Sequence, residues 1–441
     1  MTARKHLKQR IRARMAKTGE AYAAARRQII RGVEQEQGAS ATSWHLPGNI
    51  PATTALRTLF AHAGIRAPHT HEPFSEAMLF GIAGGIGMGV FSFYYQKEDI
   101  ATFFLAGRHK WHDDAAYLRD TLSLFGIQPV VQETAGAKAG EQQLRDTLDR
   151  YGPCIAWVDL AELPHRAMPD AWSGSGYHVI TIYGVDDLDG TADIGDLTDE
   201  PISISLSDLA RARARIKKQR HRLLALPQAG DVPDLAMLVR SGLQRCHQEL
   251  LNPSLPGARN NARLDALRIW AERMHGGKEQ ERWEHVFRPG PNLWRGLCAI
   301  YDFIEHYGSG GGLCRPLFAD FLAEAAAALK NPALAALGER YAKLGREWSA
   351  LADAALPGEV STLREAKELH IRKAELAHAG GAAEEIRTIW GRLQELEQQN
   401  RKPFPLSEAD YAALRVRLGD RIMALYEGEV MAQAAILDAI S

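Results

Sequence analysis

Five glycines fall between positions 81 and 89, in the run Gly81-Ile82-Ala83-Gly84-Gly85-Ile86-Gly87-Met88-Gly89. Glycine gives up more conformational entropy on folding than any other residue. A cluster this dense marks backbone that approaches a neighbour closely, or torsions closed to other side chains. Directly before it, Ser75-Glu76-Ala77-Met78-Leu79-Phe80 reads as a short helix, with Ser75 as its cap and Glu76 in its first turn. Two readings of the glycine run stay open: a core strand packed tightly on a neighbour, and the wall of a ligand site. It is not a common phosphate loop. Gly89 is followed by Val90-Phe91 where a Walker loop has Lys-Ser/Thr, and the helix precedes the glycines, the reverse of a dinucleotide fingerprint. No cofactor is expected.

A chain of 441 residues has room for two or three full cores. Its net charge of −1 gives no global bias toward nucleic acid or membrane. Cys154, Cys246, Cys298 and Cys314 are widely spaced and form no CxxC pair, so a reduced, cytoplasmic setting is the expectation. No apolar run reaches eighteen residues, and the basic N-terminus lacks the apolar stretch of a signal peptide.

The texture changes twice along the chain. Residues 1–37 form a basic helical extension in which Arg4, Lys5, Lys8, Arg10, Arg12, Arg14, Lys17, Arg26, Arg27 and Arg31 face a single acid before Gly32, Glu20. A solvated or partner-docking arm is the first reading, with nucleic-acid binding behind it. Residues 38–226 mix helices and strands. Ala52–Gly64, Asp114–Phe125 and Glu141–Tyr151 have helical spacing. Ala101–Ala106, Pro129–Gln132, Cys154–Val158, His178–Tyr183 and Ile202–Ser205 read as strands, and Leu206–Leu226 as one long basic helix. Strands come late and no βαβ repeat appears, which predicts an α+β class. Residues 227–441 read as an all-helical domain with breaks at Pro253–Gly257, Gly276–Gly277, Pro289–Pro291, Gly308–Gly312, Pro357–Gly358, Gly380–Gly381 and Pro403–Pro405.

Among candidate chemical groups, His178 opens the strand His178-Val179-Ile180-Thr181-Ile182-Tyr183, and Asp193, Asp196 and Asp199 follow within the next turn and strand. A histidine at a strand start with a carboxylate beside it can act as general base and orienting partner. His69/His71 and His109/His112/Asp113 have ligand-like residue types without zincin spacing, and Asp113 serves equally as a helix cap, so no metal is expected. Arg211, Arg215, Lys218 and Arg222 are spaced to share one helical face. Gly308–Gly312 with Cys314 and Arg315 reads as an interhelical joint, with anion binding as the second reading.

Taken together, Thr54-Ala55-Leu56-Arg57, Ser75–Gly81 with the glycines after it, Ala106-Gly107-Arg108-His109, Gly152-Pro153, Val158-Asp159 and the His178 strand resemble the N-terminal domain of butirosin biosynthesis protein H. The stretch from Trp270 through Gly311–Arg315 and Phe318–Leu322 resembles the uncharacterised helical domain that often follows it. The resemblance covers roughly residues 42–360. It implies a papain-like α+β domain followed by an all-α domain. It also implies an acyltransferase that moves an aminoacyl group from a carrier-protein thioester to an amine. The machinery it implies is a cysteine at the start of the first core helix, His178 as base and Asp196 as its orienting residue.

The cysteine position falls at Pro51 or Ala52, within Gly48-Asn49-Ile50-Pro51-Ala52-Thr53-Thr54, and no thiol stands there. Thr53 or Thr54 is the nearest substitute, and an internal threonine needs strong activation to attack. Substrate contacts are expected from Ser75, Glu76, Gly84, Gly85 and Arg108. Two functions follow, and whether the chain is an enzyme stays open between them. One is an acyl- or aminoacyl-transferase-like protein that works on a carrier-tethered or amide substrate in specialised metabolism, with an acyl carrier protein or a small amine as partner. The other is a pseudoenzyme whose cleft binds a peptide, a small metabolite or a partner protein. No membrane contact is expected, and a homodimer through the helical half is the candidate assembly.

Overall fold

In the computed structural model, Glu76 comes back across 26 residues to cap the first core helix. Its Oε1 accepts from the backbone N–H groups of Asn49 and Ile50, both at 2.8 Å, and from the Thr54 hydroxyl at 3.0 Å. With Pro51 at the first helical position, this fixes the start of α1, Pro51–His62. The structure describes residues 45–227, 232–253, 255, 257–277 and 282–440, together with positions 13 and 17. The rest of the basic extension of residues 1–37 lies outside the described residues.

Helix α2, Glu76–Ile82, is capped by Ser75, whose Oγ accepts from Met78 N at 2.9 Å. It leads through Gly84 and Gly85 into β1, Ile86–Tyr95, which pairs antiparallel with β2, Ile100–Arg108, as a separate two-stranded sheet. After α3, Asp114–Leu124, capped by Asp113, the chain builds a six-stranded antiparallel sheet in the order β3-β8-β4-β5-β6-β7. Its strands are β3 Val130–Gln132, β4 Cys154–Asp159, β5 Tyr177–Asp186, β6 Thr191–Gly195, β7 Ile202–Ser205 and β8 Leu223–Ala225. Alternation along β4 divides its side chains between two cores. Ile155 and Trp157 join the core that includes α1. Cys154, Ala156 and Val158 join a smaller one with Leu144 of α4, Ala137–Tyr151, and Leu209 of α5, Leu206–Arg215.

The stretch 206–226 departs from the single long helix expected of it. Helix α5 stops at Arg215, Ile216 turns to extended torsions, and Arg220 and His221 take positive φ. Leu223–Ala225 then enters the middle of the sheet between β3 and β4. Arg211, Arg215, Lys218 and Arg222 therefore do not share one helical face. Three apolar residues gain a ladder and full burial as a strand, which the exposed continuation of a basic helix would not provide.

From residue 235 onward every described regular element is helical: α6 Leu235–Leu251, α7 Asp265–His275, α8 Trp283–Val286, α9 Pro291–Glu305, α10 Arg315–Leu329, α11 Pro332–Ala355, α12 Ser361–Ala379, α13 Ala383–Gln399 and α14 Glu408–Ile440. No helix among the described residues is long and apolar enough to cross a membrane. The composition shifts near residue 227, yet packing runs on across it, and one hydrophobic cluster includes Phe60, Phe80, Trp157, Phe318, Trp348 and Leu425.

The glycine run sits at this continuous packing. A Cβ on Gly81 would lie 2.1 Å from the Phe321 ring, and one on Gly85 2.4 Å from the Phe318 ring. Gly84 (φ +110°) and Gly85 (φ +57°) also hold torsions that L side chains avoid. Phe318 and Phe321 are fully buried. Burial of each ring contributes roughly 1.5–3 kcal/mol, so the bare backbone is what lets α10 close on α2. Gly81→Ala should lower stability by about 1–3 kcal/mol, the cost of an extra methyl in a closed core, although alanine in an open helix would raise it by about 1 kcal/mol. Urea unfolding reads the sign directly.

Candidate functional site

Strand β5 begins at Tyr177 and β6 ends at Gly195, and their antiparallel register brings the residue after β6 beside the start of β5. His178 Nε2 and Asp196 Oδ1 are 2.7 Å apart. Asp196 also accepts from its neighbour Leu197 N at 2.8 Å, through the same oxygen. Its second oxygen receives His165 Nε2 at 2.9 Å and Arg166 Nε at 2.8 Å. Both of these residues come from the short 3-10 turn Pro164–Arg166, which follows β4. One fully buried carboxylate thus holds two imidazoles and a guanidinium. Burial by itself would raise the Asp196 pKa. The charge of Arg166, the His178 ring and the imidazole hydrogen bonds outweigh it and hold the carboxyl well below the usual range. Burial lowers the His165 pKa, opposed by its bond to Asp196, which favours a neutral ring donating from Nε2.

With Nε2 committed to Asp196, the His178 ring has Nδ1 left, and this nitrogen makes no hydrogen bond among the described residues. A carboxylate that fixes one nitrogen as donor leaves the other as a lone-pair acceptor, the arrangement of a general base. The neighbouring residues form a second chain of contacts. Tyr177 Oη donates to the His112 carbonyl at 3.1 Å. Asp114, first residue of α3, lies within electrostatic reach of His178 and is ion-paired with Arg108. Burial raises its pKa in spite of the Arg108 guanidinium. The Arg108 guanidinium stacks 4.1 Å from the centre of the Tyr117 ring, and Tyr117 Oη bonds Thr53 Oγ1 at 2.8 Å. Burial pushes the Tyr117 phenol up to about 12, so it is a neutral partner for the threonine.

The residues singled out in the sequence thus divide by place. His178 and Asp196 are in direct contact. Thr53 and Arg108 are joined through Tyr117, and no hydrogen bond runs from Thr53 to His178 among the described residues. Glu76 caps α1. Ser75 caps α2 and donates to Glu324 of α10. Gly84 lies under the His109 ring and Gly85 under Phe318. The other histidines are placed by packing: His69 pairs with Glu324 at 2.9 Å, and His109 is buried beside Gly84. Arg315, at the end of the Gly308–Gly312 joint, is itself fully buried and bonds Glu429 at 2.6 Å. Cys154 is wholly buried, and burial pushes its thiol up to about 12, far from the thiolate that a nucleophile needs.

His165 and Arg166 carried no signal in the sequence. They stand 31 and 30 residues before Asp196 in a proline-led turn, and only folding brings them to it. A cavity of about 180 Å3 lined by Leu59, His62, Tyr151, Pro153 and Leu226 lies at the C-terminal end of α1 and includes none of the residues of either contact chain.

Residues 51–197 match the family described as Butirosin biosynthesis protein H, N-terminal. Residues 207–396 match a Domain of unknown function (DUF4872). No curated protein matches the chain.

Proposed function

Since residues 51–197 belong to the butirosin biosynthesis protein H N-terminal family and the DUF4872 region follows, we propose that this chain is a biosynthetic acyl- or aminoacyl-transferase-like protein working by general-base catalysis. The observation that carries the proposal is the His178–Asp196 pair, with Nδ1 of His178 unengaged. In this reading the helix start at α1, the histidine at the head of β5 and the carboxylate after β6 form a papain-like cleft. Its first position is occupied by Pro51 and Ala52, so no enzyme thiol attacks.

A thioester donor does not require one. The amine nitrogen of the acceptor attacks the thioester carbonyl directly and forms the new C–N bond. His178 Nδ1 takes the proton that the nitrogen sheds, the C–S bond breaks, and the proton passes to the departing thiolate. The products are an amide and a free thiol. Asp196 keeps the ring in the required tautomer and stabilises the imidazolium formed in passing. Positioning of two bound reactants supplies much of the rate. Because its hydroxyl is held by Tyr117, we assign Thr53 to the wall of the cleft beside Arg108. An acyl carrier protein and a small amine are the partners this chemistry fits.

His178→Ala should lower kcat for amide formation by at least about 100-fold, the scale of a lost general base. The assay follows amide by mass spectrometry and thiol release by colour, with acyl thioesters and a panel of amines. Unchanged turnover in the variant would overturn the reading. The burial of Thr53, His178 and Asp196 favours a second reading, a pseudoenzyme that binds a peptide or metabolite without turning it over. That reading expects saturable binding to the wild-type protein, with neither amide nor thiol produced.

A further inference from the structure

The helical region packs on two segments that flank Asp196. At the end of α12, His378 meets the loop that carries Asp196 twice: its ring Nδ1 donates to the Leu197 carbonyl at 2.8 Å, and its own carbonyl accepts from Asp199 N at 2.9 Å. The helix ends there at Gly380, whose positive φ lets the chain turn close against Thr198 and Ile202. The next helix, α13, packs on the turn Pro164–Arg166, which supplies His165 and Arg166 to the other carboxylate oxygen. Farther along the same segment, Trp390 of α13 lies 5.8 Å, ring centre to ring centre, from Trp172. Lys373 of α12 sits 4.1 Å above the Trp390 ring and ties the two helices together.

Asp196 is thus gripped between two segments, residues 197–199 and 164–166, each backed by one arm of the same helical hairpin. A carboxylate holds an imidazole in one orientation only as well as its own loop is held. Groups behind the direct ligands commonly set that orientation. We propose that the hairpin α12–α13 of the helical region is the positioning element of the site, with His378 as its positioning residue for the Asp196 loop. The inference rests on the reading of His178 and Asp196 as base and orienting residue. It gives the helical region a role in that same chemistry.

The direct test needs no substrate. In the full-length protein, nitrogen-15 spectra of the histidine rings report the His178 Nε2–H bonded to Asp196. His378→Ala removes the ring donor to Leu197 while leaving the main-chain bond, and it should move or broaden the His178 ring signals. His378→Asn places an amide N–H near the position of Nδ1 and should restore them. In the acyl-transfer assay, His378→Ala should lower kcat by about tenfold with KM unchanged, the size expected of a positioning contact, and His378→Asn should recover it. Unaltered His178 signals in a folded His378→Ala protein would overturn the proposal, as would equal loss in both variants. A Trp390→Ala variant checks the second arm through the same signals. If His178→Ala is fully active while the ring signals still respond to His378, the transferase reading fails and the structural coupling stands.

Discussion

Asp196→Asn is expected to lower kcat by about 100-fold, the scale of losing His178 itself, and to destabilise the fold by about 3–5 kcal/mol. The carboxylate accepts His178 on one oxygen and His165 with Arg166 on the other. An asparagine offers one acceptor and one donor, so one side must face an N–H against another N–H. The partly buried Arg166 guanidinium is also left without its counter-charge, and that is the larger energetic loss. The pH dependence has a definite sign. The folded pKa of Asp196 is depressed, so its contribution is complete above the ordinary aspartate value of about 3.9 and declines as pH falls below that value toward the folded one. Wild-type stability measured by urea unfolding should therefore drop in this acidic window by more than that of the Asn variant. Equal slopes would show that the folded chain does not hold the Asp196 pKa below its unfolded value.

Arg315→Met should be the most damaging single change away from the site, at about 3–5 kcal/mol. Both Arg315 and Glu429 are wholly buried, and Nε meets Oε1 at 2.6 Å. Arg315 Nη1 donates to the Leu313 carbonyl at 2.7 Å, and its remaining N–H groups reach Gly107 O and Gly87 O. Trp348 Nε1 donates to the same Glu429 oxygen at 2.9 Å. Removing the guanidinium abandons a buried carboxylate and three carbonyls together. The double variant Arg315→Met/Glu429→Gln removes the charge from both partners and should unfold at a higher denaturant concentration than Arg315→Met alone. That inequality, read as a double-mutant cycle, separates a lost pair from a lost volume. A double variant that is no better than the single one would mean that packing, and not charge, holds the junction.

The sequence was most legible where punctuation is local. Gly276–Gly277, Gly308–Gly312, Pro357–Gly358 and Gly380–Gly381 fall between consecutive α-helices, and Pro289–Pro291 ends on the proline that opens α9. The break between α10 and α11 had no glycine and stood in an alanine-rich run. It is made by Lys330 at positive φ and by Asn331, whose side chain caps α11 from a position ahead of Pro332. The strand Leu223–Ala225 was hidden for a different reason. Three apolar residues carry no period, and the basic residues before them keep helical spacing after the helix has ended. At the site, the His178 strand was readable from its β-branched run, whereas the residues alone left Asp193, Asp196 and Asp199 open and only the family resemblance singled out Asp196. His165, Arg166 and His378 were not readable, because their meaning comes from distances across 30 to 181 residues that no local pattern encodes.

The glycine slots under Phe318 and Phe321 carry a consequence for how such a chain can be inherited. A ring and the bare backbone that receives it lie on opposite sides of the composition change near residue 227. Joining this first half to a foreign second half would set a misfitting side chain against Gly81 and Gly85, or leave an open trench along α2. Gene fusion or recombination that exchanges one half would give up this fit, and the cost of changing one glycine or one phenylalanine is relieved by a matching change in its counterpart.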